Sequence, residues 1–161
     1  MIANQRGETT FSTPSDREIA MTRVFDAPPG LVFAAYTDPA LIAQWWGPRK
    51  YTMTVDQMDV RPGGAWRYIH RGPEGEEYAF RGEYREIASP RLLVSTFEFE
   101  GMPGHIAVDT AVFEPVDGNR TRLTVTSRFA SVEDRDGMLS SGMESGATES
   151  WDRLAELLAR R

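Results

Sequence analysis

The chain has 161 residues, of which 40% are hydrophobic and 26% are charged. These proportions are ordinary for one globular domain with a sizeable core. A formal net charge of −6 and a single lysine, Lys50, argue against a nucleic-acid partner, which needs clustered basic residues. The absence of cysteine excludes disulfides, thiol catalysis and thiolate metal sites.

The sequence contains no apolar run near the ~18 residues that a membrane span requires. Its N-terminus lacks the apolar segment of a secretory signal, so we expect a soluble protein located in the cytoplasm. Ser, Thr, Asn and Pro are frequent in residues 1–15, which predicts a flexible leader. The predicted single domain is residues 16–161.

The first predicted elements are one strand and two short helices. Period-two alternation of Ile19, Met21 and Phe25 predicts a strand over 17–26. Pro28-Pro29 is typical of a helix start, and Asp38 with Pro39 begins a second helix that Gly47-Pro48 ends.

Six further strand-like runs follow, separated by turn signals rich in glycine, proline and aspartate. Such short connections cannot hold crossover helices, so the sheet should be antiparallel. The predicted strands are residues 51–60, 65–71, 77–88, 91–100, 105–115 and 121–129.

The last predicted element is a long helix. Ser141 and Glu144 fit a capping box, as N-cap and N3 residues. Apolar residues then recur at helical spacing from Met143 to Leu158, with charged residues largely on the other face. The predicted architecture is α+β, with the order β-α-α-β6-α: a curved antiparallel sheet wrapped around a long C-terminal helix.

Four sequence segments together resemble a known family. They are Arg23-Val-Phe-Asp-Ala-Pro-Pro29, Val32-Phe-Ala-Ala-Tyr-Thr-Asp-Pro39, the Trp45-Trp46-Gly47-Pro48 motif followed by Arg61-Pro-Gly-Gly64 and Trp66, and the stretch from Gly142 to Leu158. Over residues 16–160 the chain resembles the activator of Hsp90 ATPase homologue-like family, within the START/polyketide cyclase-like (SRPBCC) helix-grip superfamily. The resemblance implies a helix-grip fold, whose members bind, carry or transform different ligands.

A cavity between sheet and helix is the expected ligand site of such a fold. Strand alternation turns aromatic side chains inward and charged side chains outward. Tyrosine hydroxyls and one serine would supply polar contacts. The candidate ligand-binding residues are Trp45, Trp66, Tyr68, His70, Tyr78, Phe80, Tyr84, Phe97, Phe99, Ser127, Met138, Met143 and Trp151.

Several interior positions carry more specific expectations. Trp45 should pack in the core, because it follows Leu41 by one helical turn, and Trp46 should lie nearer the surface. His70 should lie at the cavity rim, near the turn after its strand. Arg23 should be partly buried and paired with Asp59, Asp56 or Glu98. Gly146, inside the long helix, predicts close approach by an aromatic ring of the protein.

Three functions are compatible with these features. The first is a binding protein for a hydrophobic or aromatic small molecule or a lipid. The second is a polyketide cyclase-like enzyme using Tyr68, Tyr84, His70 or Arg23, although no catalytic constellation is recognisable. The third is an Hsp90 co-chaperone-like domain. It ranks last because the activator is expected to carry an additional amino-terminal module, and we expect a single domain here. No cofactor is expected, and two histidines make no metal site. A homo-oligomer is left open.

Overall fold

The structure is a computed structural model that describes residues 8–161. It is an α+β fold built on one antiparallel sheet. The strands are β1 (Thr10–Ser12), β2 (Glu18–Phe25), β3 (Thr52–Met58), β4 (Ala65–Arg71), β5 (Glu77–Ala88), β6 (Leu92–Phe99), β7 (Ile106–Val116) and β8 (Arg120–Arg128). The helices are α1 (Pro29–Thr37), α2 (Pro39–Ile42), α3 (Val132–Ser140) and α4 (Met143–Ala159).

The sheet runs in the order β1-β2-β8-β7-β6-β5-β4-β3. Strands β3 to β8 follow one another as a meander, and β2 pairs with β8. This order leaves β1 and β3 at the two edges and turns one face of the sheet toward α4. The α+β helix-grip architecture expected from the sequence is thereby confirmed.

The first strand lies inside the segment that the sequence predicts to be a flexible leader. Residues 10–12 pair with β2 in register, with Phe11 opposite Met21. The unpaired N–H and C=O groups at the edge of β2 form hydrogen bonds with residues 10–12, so this part of the predicted leader belongs to the sheet. The part of the prediction that concerns residues 1–7 lies outside the described residues.

Helix α4 is held against the sheet by its C-terminal half. Trp151, Leu154, Leu157 and Leu158 are buried there, and the Trp151 ring meets Phe25 of β2 edge-on, with centroids 5.5 Å apart. The N-terminal half of α4 contributes no buried residue. The hydrophobic core therefore occupies one end of the sheet, and the other end is left for a cavity.

The start of α4 differs from the predicted capping box. Ser141 is the C-cap residue of α3, and its hydroxyl donates to the Met138 carbonyl at 2.6 Å. Gly142 is the N-cap of α4, with φ of 81° and no side-chain cap. The prediction was wrong because Ser141 ends the preceding helix, α3, and does not begin α4. Helix α3 contributes no buried residue. A glycine in the left-handed region then reverses the chain.

The outer face of the sheet is not uniformly solvated, as the alternation had suggested. Thr96 is 7% exposed and Glu98 is 9% exposed. The Thr96 hydroxyl accepts a hydrogen bond from the Glu83 backbone amide at 2.9 Å. Glu98 accepts hydrogen bonds from Arg81 at 3.0 Å and from the Gly104 amide at 2.7 Å. These neighbours cover the two side chains, so a polar outer face can still be buried.

Within residues 8–161, no helix is both long enough and apolar enough to cross a membrane.

Candidate functional site

A cavity of about 560 Å³ lies between the inner face of the sheet and helix α4. The segment after α2 and the start of α4 form its other walls. The candidate residues that line it are Trp45, Trp66, Tyr68, His70, Tyr78, Phe80, Tyr84, Phe97, Phe99, Ser127, Met138 and Met143. The structure thus brings these residues together, and their role in ligand binding stays a prediction.

Trp151 is the one candidate residue that does not line the cavity. It is 2% exposed and packs in the core, where its indole nitrogen donates to the Tyr36 hydroxyl at 2.9 Å. The sequence placed it at the cavity because it shares a helix face with Met143. This face of α4 lines the cavity at Met143 and packs into the core at Trp151.

The adjacent tryptophans Trp45 and Trp46 have different surroundings. Trp45 is 1% exposed, and its indole nitrogen donates to the Ala35 carbonyl at 3.0 Å. Trp46 is less buried, in the predicted order. Its ring lies 5.0 Å from His70 and 5.1 Å from Tyr68, centroid to centroid. Trp46 therefore forms part of the aromatic wall, the cavity-lining rings of Trp46, Trp66, Tyr68, Phe80 and Phe97. The sequence analysis did not count it among the ligand-binding candidates.

His70 is buried, at 4% exposure, and does not lie at the rim. Its ring stacks on Tyr51 with centroids 5.4 Å apart and contacts Trp46 on another side. Burial lowers the pKa of His70 to about 4, so the ring is neutral at pH 7. Its Nε2 atom has no hydrogen-bond partner within the described part of the chain. The prediction of a rim position was wrong because Tyr51 and Trp46, which precede the sheet meander, fold over the ring.

A polar row crosses the inner face of the sheet in the middle of the cavity. Tyr84 of β5 is paired with Ser95 of β6, Ser95 with Asp109 of β7, and Asp109 with Ser127 of β8. All four side chains line the cavity. Directly opposed residues in a sheet have neighbouring side chains. We call Tyr84, Ser95, Asp109 and Ser127 the polar row.

Asp109 is the acidic member of the polar row, and the sequence analysis missed it. Ser127 Oγ donates to Asp109 Oδ1 at 2.6 Å. Burial raises the pKa of Asp109 to about 6, and the bond from Ser127 opposes this shift. Asp109 is half-buried and lines the cavity. Alternation with Ala107, Ala111 and Phe113 along β7 was the signal that could have found it.

The tyrosines around the polar row are uncharged at neutral pH. Burial raises the pKa of Tyr84 to about 12. Burial also raises the pKa of Tyr68 and Tyr36, and the nearby Asp109 carboxylate raises that of Tyr36 further. The Tyr84 hydroxyl is near that of Tyr68, yet it makes no hydrogen bond of standard geometry with the described residues. The polar row is therefore a set of neutral hydroxyls around one carboxyl group.

Arg23 is buried as predicted, but its partner is different. The guanidinium donates to Asp152 Oδ1 on α4 at 2.7 Å and to Thr9 Oγ1 at 3.2 Å. The predicted acceptors pair with other arginines: Asp59 with Arg61, Asp56 with Arg67, and Glu98 with Arg81. The prediction was wrong because Arg23 projects from the inner face, where α4 supplies the acceptor.

Gly146 lines the cavity without being pressed by a ring. A Cβ atom at this position would meet only Pro48 Cγ, at 3.6 Å, which is ordinary contact. The predicted approach of an aromatic ring of the protein was wrong. Instead, the glycine leaves part of the space between α4 and the aromatic wall open.

The remaining histidine lies apart from the cavity. His105 is largely exposed, and its Nδ1 lies 2.9 Å from Asp134 Oδ1 of α3. In the part of the chain from residue 8 onward, no three His, Asp or Glu side chains gather where they could hold a metal ion. What the cavity offers is apolar burial, with hydrogen bonds from the polar row.

A curved antiparallel sheet around a long helix, with a cavity between them, defines a helix-grip protein. The chain belongs to the family described as activator of Hsp90 ATPase homolog 1-like protein (AHSA1), whose sequence model matches residues 26–159. The family resemblance noted in the sequence is thereby confirmed.

Solved structures of similar sequence share this fold. A Rhodobacter sphaeroides protein is 28% identical, with a TM-score of 0.89, covering 96% of this chain and 100% of that one. A protein from Arthrobacter aurescens is 27% identical, with a TM-score of 0.87, covering 94% and 92%. The AHSA1 protein from Silicibacter pomeroyi is 27% identical, with a TM-score of 0.71, covering 88% and 97%.

A curated relative is known from Schizosaccharomyces pombe, where the protein is uncharacterized. It is 27% identical over 116 residues, which are 71% of this chain and 31% of that protein. The matched segment thus spans about a third of the length of that relative.

Proposed function

We propose that this protein binds an apolar or aromatic small molecule in the cavity between the sheet and α4. The observation that carries the proposal is the cavity itself, which is about 560 Å³ and is lined by twelve Phe, Trp and Tyr side chains. A volume in this range is typical of small-molecule sites. Burial of apolar ligand surface would supply most of the affinity, at about 25 cal/mol per Å² removed from water.

The aromatic wall supports this proposal because it is continuous rather than scattered. The Trp46 ring lies 5.3 Å from Phe80, and Phe80 lies 5.7 Å from Phe97 in a stacked arrangement. Offset and edge-to-face packing holds these rings in place without a ligand. A preformed wall of this kind suits a flat apolar ligand.

Gly146→Leu is the sharpest test of the cavity. A leucine at this position projects into the cavity, since a Cβ meets only Pro48 at ordinary distance. Leucine also favours helix by somewhat less than ~1 kcal/mol over glycine, so the variant should fold. Gly137→Leu is the matched control, because Gly137 lies on α3, is exposed and does not line the cavity.

The experiment is native mass spectrometry of the protein purified from its own cells, with a parallel denatured and extracted sample. A bound molecule should appear on the wild type and the Gly137→Leu control, and it should be lost or strongly reduced on Gly146→Leu. In a separate titration, a neutral apolar dye should follow the same order. A dye that binds all three proteins equally would contradict binding in the cavity.

A further inference from the structure

The cavity wall is unbalanced in charge. Among the described residues that line the cavity, Asp109 is the only Asp or Glu, and none is Arg or Lys. His70, the other ionisable side chain apart from tyrosines, is neutral at pH 7 because burial lowers its pKa. The inward-facing cation on β2, Arg23, is bound to Asp152 and does not line the cavity.

Asp109 stands at the centre of the polar row with unused acceptor capacity. Its Oδ1 accepts the Ser127 hydroxyl proton, and its Oδ2 accepts no hydrogen bond from the described residues. A carboxylate can accept several hydrogen bonds. Tyr36, Tyr68 and Tyr84 approach from the other elements and stay uncharged, since burial raises the pKa of each. Asp109 therefore presents an acceptor to whatever fills the cavity.

This arrangement has opposite consequences for two kinds of ligand. A ligand O–H or N–H group can donate to Asp109, and hydrogen bonds to a charged acceptor are the stronger kind. An anionic ligand would lose its hydration in an apolar cavity and gain no cation in return. Whenever Asp109 is ionised, it would also meet a like charge.

We propose that the cavity selects ligands by charge: it binds neutral or cationic aromatic molecules that donate a hydrogen bond, such as phenols and aryl amines, and rejects carboxylates, sulfonates and phosphates. The selecting residue is Asp109, supported by Ser127. The proposal rests on the proposed binding function and adds the chemical class of the ligand. Free fatty acids fall in the rejected class.

The test uses two fluorescent probes with one skeleton. N-phenyl-1-naphthylamine is neutral and carries an N–H donor, and 8-anilino-1-naphthalenesulfonate adds one sulfonate to it. Titrated at pH 7.5, the wild type should bind the neutral probe at least about tenfold more tightly than the sulfonate, as expected when one charge-assisted hydrogen bond is at stake. Equal affinities, or tighter binding of the sulfonate, would overturn the proposal.

Two variants show whether Asp109 is responsible. Asp109→Asn should reduce the preference to about threefold or less, because the affinity for the neutral probe falls and the affinity for the sulfonate probe rises. Asp136→Asn is the matched control, because it removes an exposed carboxylate on α3 that does not line the cavity, and it should keep the preference. An unchanged preference in Asp109→Asn, with the variant shown to be folded by circular dichroism, would overturn the assignment to this residue.

The Gly146→Leu variant separates this proposal from the binding function on which it rests. If it abolishes binding of both probes, they occupy the cavity, and the preference measured is that of the cavity. If neither probe binds the wild type saturably, or Gly146→Leu changes nothing, the cavity function itself fails and the selectivity fails with it. Binding in the cavity without a charge preference would overturn the selectivity alone.

Discussion

The indole nitrogen of Trp151 donates a hydrogen bond to the Tyr36 hydroxyl at 2.9 Å, and this bond joins α4 to α1 beside the cavity. Trp151 is 2% exposed, so its N–H has no access to bulk water. Tyr36 also packs against Trp45, with centroids 4.8 Å apart. The Trp151–Tyr36 pair therefore connects α4 to the segment that carries Trp45 and Trp46.

Tyr36→Phe should lower the free energy of unfolding by about 1 to 3 kcal/mol, because it leaves the buried Trp151 donor without an acceptor. Urea denaturation followed by circular dichroism measures the change. Tyr51→Phe is the matched control: the Tyr51 hydroxyl bonds no described residue, and its ring stacking on His70 is kept. Its effect should stay within about 0.5 kcal/mol. Equal losses in the two variants would contradict the structural role of the hydroxyl pair.

Asp152→Asn should destabilise the protein more than Glu156→Gln, one turn further along α4. Asp152 neutralises Arg23, whose side chain is 6% exposed, whereas Glu156 pairs with Arg49 and both of these side chains are 51% exposed. A buried charge that loses its partner costs several-fold more than a broken surface pair. We expect a loss of about 1 to 3 kcal/mol for Asp152→Asn and a smaller loss for Glu156→Gln. Thermal unfolding would refute this order if Glu156→Gln were the worse variant.

Asp109 should make the protein less stable as the pH rises from about 4 to 6. Its pKa is raised from 3.8 to about 6, so the native protein holds a proton there that the unfolded chain has lost. Asp109→Asn removes this dependence. Its free energy of unfolding, relative to wild type, should therefore increase by about 1 to 3 kcal/mol across that window and stay level above it. A relative stability that does not change with pH would contradict the raised pKa.

His70 should act in the opposite direction. Its pKa is lowered to about 4, so between pH 4 and 6.5 the unfolded chain holds more protons than the native protein, and stability falls on acidification. Relative to wild type, His70→Phe should lose stability as the pH rises through this window. Urea titrations at half-unit pH steps can measure both variants together. If the free energy of unfolding relative to wild type changed with pH in the same direction for Asp109→Asn and His70→Phe, this assignment of signs would be overturned.

Gly142→Ala should cost about 1 kcal/mol or more, because Gly142 has φ of 81° where α3 meets α4. Gly137→Ala, within α3, is the comparison. Gly137 has open space around it and no positive φ, so alanine should stabilise by up to ~1 kcal/mol. The two substitutions should therefore shift the melting temperature in opposite directions, as measured by differential scanning calorimetry. Stabilisation by Gly142→Ala would show that the junction does not need the left-handed conformation.

The sequence predicted the cavity wall well where one rule decided the orientation. Alternation along β4 turns Trp66, Tyr68 and His70 to the same face, and all three are buried on it. The same rule, applied to β7, would have found Asp109. Alternation does not tell how deeply a side chain is buried, and for this reason His70 was expected at the rim.

Contacts between distant segments could not be predicted in this way. The Arg23 acceptor, Asp152, lies 129 positions along the chain and on a different element. Charge alone left Asp56, Asp59 and Glu98 as equally good acceptors. Trp151 likewise shares its helix face with cavity residues, and only the position of Tyr36 and Phe25 in three dimensions separates core from cavity.

The two edges of the sheet bear on whether a strand from another molecule can add to it. One edge strand, β1, has only three residues. The other, β3, is interrupted by a register shift between Val55 and Gln57, which leaves Asp56 without a partner in the ladder. Short edges, bulges and edge charges hinder the addition of a strand from another molecule. A sheet with so many aromatic residues on one face can thus end at both sides without offering a template for fibril growth.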